Sequence, residues 1–246
     1  MMPSNKGYAL FDLDQTLVPW DMQLLFANWV FHKYPWRRIY LIFFFTLLPL
    51  FKLLGAEIMK RAFLCILHGL SAREVESLTQ DFVDHYYPDI FYPEIVEKMR
   101  AHQERGDFVI LTSASPSLYV QKIGHKLGAN LTFGTDLNPY EFYPLFPQFP
   151  IGNNKGHQKI LTLKWWLYLQ DKDEQFPLPS STAYTDSSAD IPLIDACQDA
   201  VLVHPSERLQ NHAPEATVFT PERPFSDKKG QIKIAISMLA GLYPIR

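Results

Sequence analysis

Two carboxylates one residue apart follow the first apolar run of the chain. Tyr8–Asp14 reads YALFDLD, and Gln15 and Thr16 come next. The run has the make-up of a short buried strand. Residues i and i+2 of a strand share a face, so Asp12 and Asp14 leave its end side by side. Like charges that close need a cation or a shared proton between them. One can stay ionised on a metal while the other exchanges protons as acid and base. Ser113 stands just beyond the apolar run Phe108–Leu111 and just before Ser115-Pro116. That pair suits a helix opening, with Ser115 as N-cap and Pro116 at the first position. The free N–H groups and dipole of a helix start favour an anion such as phosphate. Taken alone, the two serines need be no more than caps. Lys159, in the GHQK of residues 156–159, heads an amphipathic run, and Asp186 and Asp190 form D-x-x-x-D after the run Thr182–Thr185. Singly these would be a surface lysine and a helix-capping pair. In the D-x-x-x-D, one carboxylate could ligate a metal while the other supports it.

These groups must be positioned by the elements around them. Strands are expected at Tyr8–Asp14, Phe108–Leu111, Leu131–Gly134, Thr182–Thr185 and Ala200–Val203. Helices are expected at 93–105, 118–127, 156–169, 190–197 and 229–242. Strands alternating with helices predict an α/β fold with a parallel sheet covered on both faces. In such sheets ligands bind beyond the carboxyl ends of the strands. Asp12/Asp14, Thr112/Ser113 and Asp186/Asp190 all fall there. From Asp21 to about His85 the pattern is helical and strongly apolar, broken by Pro35, Pro49 and Gly55, with a capping box at Ser71–Glu74. Residues 138–150, dense in Pro and aromatics, are expected to form an irregular flap near the site.

Composition bounds the function. The chain has 246 residues, 47% hydrophobic and 20% charged, with a formal net charge of −3. Wholesale disorder and a broad nucleic-acid-binding surface are both disfavoured. Two cysteines make no disulfide framework, and the eight histidines form no zinc-type cluster. Met1–Gly7 is short and polar and runs straight into the first strand, so no secretory signal is expected and the cytoplasm is the expected location. The apolar stretch Ile39–Phe51 is too short for a span, at ~20 Å of helix against a ~30 Å hydrocarbon core. A buried helix is the favoured reading. The other is a surface that dips into a bilayer, with Trp36, Arg37 and Arg38 at the headgroups.

In this order the segments FDLDQTL, LTSASPSLYV, GHQKILTLKWWL and YTDSSADIPLI, followed by VLVHPSERL, resemble the haloacid dehalogenase-like superfamily. More narrowly, they resemble its phosphoserine-phosphatase-like branch, which has a helical cap inserted after the first motif. The resemblance implies a Rossmann-like doubly wound core (1–18 and 87–246) and a small α-helical cap (19–86) that closes over the site. It implies Asp12 as the nucleophile that becomes an aspartyl-phosphate and Asp14 as general acid and base. It also implies Ser113, Ala114 and Lys159 as phosphate-binding groups, with Lys155 a competitor of Lys159. Mg²⁺ would sit on Asp12, the Asp14 carbonyl and Asp186, with Thr16 and Asp190 in support. Asp21 and Arg61 loosely match cap positions that touch substrate. Gln15 departs from the Gly or Ser usual after the second aspartate. The implied activity is hydrolysis of a small phosphomonoester, such as phosphoserine or histidinol phosphate. A lipid phosphatase akin to phosphatidylglycerophosphatase, with peripheral membrane contact through the cap, is one alternative. A non-catalytic phosphate-binding protein is another.

Overall fold

A computed structural model describes residues 7–170 and 175–245, with the side chains of residues 51 and 52 outside the description, as is most of the short polar stretch Met1–Gly7. The chain divides into two compact units, 1–19 with 87–135 and 154–223, and 20–86 with 136–153 and 224–246.

The first unit is built on six strands: β1 (Tyr8–Phe11), β2 (Phe108–Pro116), β3 (Leu131–Thr135), β4 (Ser181–Thr185), β5 (Asp199–Val203) and β6 (Thr217–Phe219). They form one parallel sheet in the order β3-β2-β1-β4-β5-β6. Alternation along the strands splits the core into two layers. Tyr8, Leu10, Phe108, Ile110, Ala183 and Leu202 pack with Ile160 and Leu163 of α7 (His157–Leu169), Leu193 of α8 (Ile191–Asp195) and Leu209 of α9 (Glu207–His212). On the opposite face the Phe11 ring stacks on Tyr184 at 4.1 Å and meets His102 of α5 (Pro93–Arg105) edge-on. Gly124 of α6 (Ser117–Leu127) lies directly against the Thr132 side chain on that face. Helices on both faces of a parallel sheet give a doubly wound, Rossmann-like α/β fold.

The expected strands are all present. β6 has three partly exposed residues and gave no pattern to detect. β2 runs on to Pro116, with a register shift between Thr112 and Pro116. Helix α6 therefore starts at Ser117, so Ser115 does not cap it.

The second unit holds α1 (Met22–Lys33), α2 (Ile39–Leu54), α3 (Ala56–Phe63), α4 (Ala72–Tyr86) and α10 (Lys228–Leu239). Asp21 caps α1 by accepting from the Gln23 and Leu24 amides at 3.0 and 3.1 Å. The Ser71–Glu74 capping box closes as expected, the Ser71 amide donating to Glu74 Oε2 at 2.8 Å and the Glu74 amide to Ser71 Oγ at 3.3 Å. Segment 136–153 joins this unit through backbone bonds of Gly69 and Leu70 with Tyr143, and of Ala72 with Glu141. The C-terminal segment joins through Asn28, which exchanges hydrogen bonds with the Tyr243 main chain, and through Arg38, which donates to the Ala240 and Gly241 carbonyls at 2.9 Å each. Both segments thus leave the core expected at 87–246 and group with the helices.

Two expectations about Ile39–Phe51 change. Pro49 does not interrupt the helix, which runs through it and past Lys52 to Leu54, because it and Phe45, whose carbonyl would have bonded to it, are both exposed and water can serve that carbonyl. Nor is the helix buried. Phe44 is the one residue of α2 in the buried class among the described side chains, and Ile42 is 69% exposed. Arg37 does not sit at a surface either, for it is buried and donates to the Ile66 and His68 carbonyls at 2.8 and 2.9 Å.

Leu10 lies wholly buried at the centre of the sheet. Leu10→Ala should lower unfolding free energy by about 2–5 kcal/mol in urea denaturation, since the flanking strands cannot close the void. A loss under about 1 kcal/mol would mean that β1 is not the centre of the core.

Candidate active site

The site begins where β1 stops. Asp12 follows its last residue, and its amide bonds to the Tyr184 carbonyl of β4 at 3.0 Å. The Thr16, Leu17 and Val18 amides then turn back to the Leu13 carbonyl. This curl requires φ of +58° at Gln15, the left-handed region that suits glycine. A glycine would adopt it freely, and Gln15 occupies it with strain.

β1 lies between β2 and β4, so their carboxyl ends bring Ser113 to one side of Asp12 and Asp186 to the other. The Thr16 hydroxyl lies between two carboxylates, 3.4 Å from Asp12 Oδ2 and 3.3 Å from Asp186 Oδ1. Lys159, from the first turn of α7, is only 2% exposed. Its ammonium donates to Asp12 Oδ1 and to Asp190 Oδ2, both at 2.7 Å. Thr185 donates to the same Asp190 oxygen at 3.0 Å. Lys155 is exposed, so of the two lysines Lys159 is the one placed against Asp12.

Asp14 faces β2. Its Oδ2 accepts from Ser113 Oγ at 3.0 Å and from Ser115 Oγ at 2.9 Å, while Ser113 Oγ accepts from the Ser115 amide at 2.9 Å. Behind this segment Asn154 Nδ2 donates to the Ser113 carbonyl at 3.0 Å and Thr135 Oγ1 to the Ala114 carbonyl at 2.6 Å. Asp12, Asp14, Thr16, Ser113, Ala114, Lys159, Asp186 and Asp190 are thus gathered around one sheet end. Asp21 and Arg61 belong to the helical unit. There Asp21 caps α1 and Arg61 donates to the Pro147 carbonyl at 2.8 Å. Ser115, Thr185, Asn154 and Thr135 were not singled out as site residues. Ser115 had been read as a cap, and nothing in the spacing of the others marks them.

Charge is poorly balanced here. Four carboxylates share one cation. Burial, reinforced by Asp190, Asp186 and Asp14 against the opposing pull of Lys159, raises the Asp12 pKa well above its usual value. Burial, then Asp190, pushes Asp186 up to about 7. Burial alone would lower the Lys159 pKa, but Asp12 and Asp190 outweigh it and raise it. The donor set suits a hard divalent cation. Among the described residues no three His, Cys, Asp or Glu side chains form a cage. Mg²⁺ needs none, because it keeps several waters and takes one or two carboxylates. Asp12 and Asp186, on either side of the Thr16 hydroxyl, fit that pattern.

Residues 9–195 match the family of haloacid dehalogenase-like hydrolases. The chain is 26% identical over 219 residues to phosphoserine phosphatase SerB1 of Mycobacterium tuberculosis, covering 84% of this chain and 68% of that one. It is 23% identical to a probable phosphatase, Rv3661, of the same organism, covering 86% and 73%. Among solved structures, a protein of unknown function from Bordetella pertussis superposes with a TM-score of 0.71 at 23% identity, covering 88% of this chain and 99% of that one. A phospho-aspartyl intermediate analogue of phosphoserine phosphatase superposes at 0.57 and 17% identity, covering 94% and 99%.

The raised carboxylates predict a pH dependence. A carboxyl with a folded pKa above its unfolded value binds more protons when folded, so its contribution to stability falls as pH rises from the unfolded pKa through the folded one. For Asp186 that window runs from the ordinary carboxyl value of 3.8 to about 7. In EDTA, Asp186→Asn should therefore gain on wild type between about pH 4 and 7 in denaturant melts, and Mg²⁺ should restore the wild type alone. A stability difference that stays flat with pH would contradict the electrostatic reading.

Proposed function

Because the chain belongs to the haloacid dehalogenase-like hydrolases and is a phosphatase of phosphoserine-phosphatase type, we propose that it hydrolyses a small phosphomonoester with Mg²⁺ through an aspartyl-phosphate on Asp12. The observation that carries this reading is the pair of 2.7 Å contacts tying Lys159 to Asp12 and Asp190. They hold one Asp12 oxygen and leave the carboxylate fixed at the end of β1.

Attack on a phosphate dianion by a carboxylate must overcome like-charge repulsion. Lys159 has three N–H groups, of which Asp12 and Asp190 take two, so the third can serve a phosphate oxygen. Mg²⁺, when bound at Asp12, Asp186 and the Asp14 carbonyl, supplies further charge neutralisation. The O–P bond to Asp12 forms as the ester P–O bond breaks, and Asp14 gives its proton to the leaving alkoxide. Asp14 then takes a proton from the water that attacks phosphorus and frees Asp12. Ser113 carries a single O–H, so it donates either to Asp14 or to a phosphate oxygen. Substrate binding would thus draw one donor away from Asp14 as its proton chemistry begins.

Phosphoserine is the first substrate to test, given the name of the relative SerB1. A second reading puts the phosphate on a lipid, and the outward apolar face of α2 favours it. A panel of phosphorylated metabolites and short-chain lipid phosphates with Mg²⁺ separates the two. Asp12→Asn should reduce turnover to background, and Asp14→Asn should lower kcat by about 10²–10⁴-fold. Near wild-type phosphate release by Asp12→Asn would refute the nucleophile assignment.

A further inference from the structure

We propose that the helical unit docks on an anionic membrane surface through the outward face of α2, assisted by the basic face of α10. Ile39, Ile42, Phe45, Leu50 and Leu53 of α2 are all exposed, and Leu53 reaches 83%. They recur at helical spacing along one side, so the stripe runs the length of the helix. A surface helix ordinarily turns polar residues outward, and one apolar on every side belongs in a core or in lipid. Sixteen residues rise ~24 Å, short of the ~30 Å hydrocarbon core. No helix among the described residues is long and apolar enough to cross a membrane. The face fits a helix lying along an interface.

The charges identify the partner. Residues 22–56 contain no Asp or Glu and carry Lys33, Arg38 and Lys52 besides the buried Arg37, and Lys33 lies 3.7 Å from Asp81. Residues 228–245 likewise contain no acid and carry Lys228, Lys229 and Lys233. The whole chain has a net charge of −3, so these two stretches are local reversals of its sign. On α10, Lys229, Ile232, Lys233 and Ile236 are exposed at i, i+3, i+4 and i+7, the mixed basic and apolar face of an interfacial helix. Arg38 fastens the end of α10 to the start of α2 through the Ala240 and Gly241 carbonyls. Trp36, 60% exposed, lies two residues before that arginine, and the exposed Leu242 follows Gly241. Trp favours the membrane–water boundary, where its ring bridges the two media. A second copy of the chain is a poorer occupant, since a two-fold contact would set cationic stretches without acids against each other.

The test reads binding without turnover, so it stands apart from the assignment of the phosphatase. Full-length protein is floated with vesicles of phosphatidylcholine alone and with about one-third phosphatidylglycerol, at low and high salt. Binding should require the anionic lipid and weaken with salt, because screening shortens the reach of charge to ~3 Å at 1 M. Ile42→Asp with Phe45→Asp should cut partitioning at least about tenfold, and Lys229→Glu with Lys233→Glu should weaken binding to the anionic vesicles and its dependence on salt. All these positions are exposed, and unchanged circular dichroism and turnover of a soluble phosphomonoester would confirm folding. Protein that is folded and active yet stays out of the floating fraction would overturn the proposal. So would a concentration-dependent dimer, dispersed by the α2 variant, in place of vesicle binding.

Discussion

The ion pair of Lys159 with Asp12 and Asp190 is the constraint on which the catalytic end of the sheet depends. Taking an ammonium out of water is costly, and it stays charged only because two carboxylates lie 2.7 Å away. Thr185 holds Asp190 in turn, which fixes the lysine from the far side. The arrangement is less a source of net stability than of position. Replacing such a group by an apolar one is often tolerated energetically, whereas removing one partner strands the others. Here it aims a carboxylate oxygen and a cation at the same small volume.

The sheet order converts distance along the chain into proximity. Asp12 and Lys159 are 147 residues apart, and Asp14 and Ser115 are 101 apart. Parallel pairing of β1 with both β2 and β4 stacks the three carboxyl ends at one level. Each strand then adds one or two residues beyond its last apolar position: Asp12 after Phe11, Ser113 after Thr112, Asp186 after Thr185. The extension of β2 to Pro116, with its register shift, makes the serine segment long enough to face Asp14.

Those relations were legible because each charged or hydroxylic residue ends a short apolar run, and strand ends can be read from such runs. Five strands and the helix at Pro93–Arg105 follow from local pattern alone. What escaped notice depends on tertiary contact. Asn154 and Thr135 act on main-chain carbonyls of a distant strand, and no spacing rule links them to it. The grouping of 136–153 and 224–246 with the helical unit rests on backbone bonds to Tyr143 and on the carbonyls held by Arg38. Apolar character marks Ile39–Phe51 as helical, but whether such a helix is covered depends on its neighbours, and these leave one side open. Pro49 misled for a related reason, because an interruption matters less on a side that water can reach.

The hydroxyl arithmetic around Asp14 ties the fold to the proposed chemistry. Two O–H donors converge on one oxygen of Asp14, and Ser113 also accepts the Ser115 amide. That amide bond sets the direction of Ser113 Oγ but leaves its hydrogen able to turn. Ser115 can keep its hold on Asp14 while Ser113 turns to a phosphate, since the two hydroxyls come from different residues of an extended strand. Had Ser115 capped α6 as its sequence context suggests, its oxygen would serve a helix amide and Asp14 would lose that hydroxyl. Extending β2 by a few residues therefore changes a capping serine into one that positions a carboxylate.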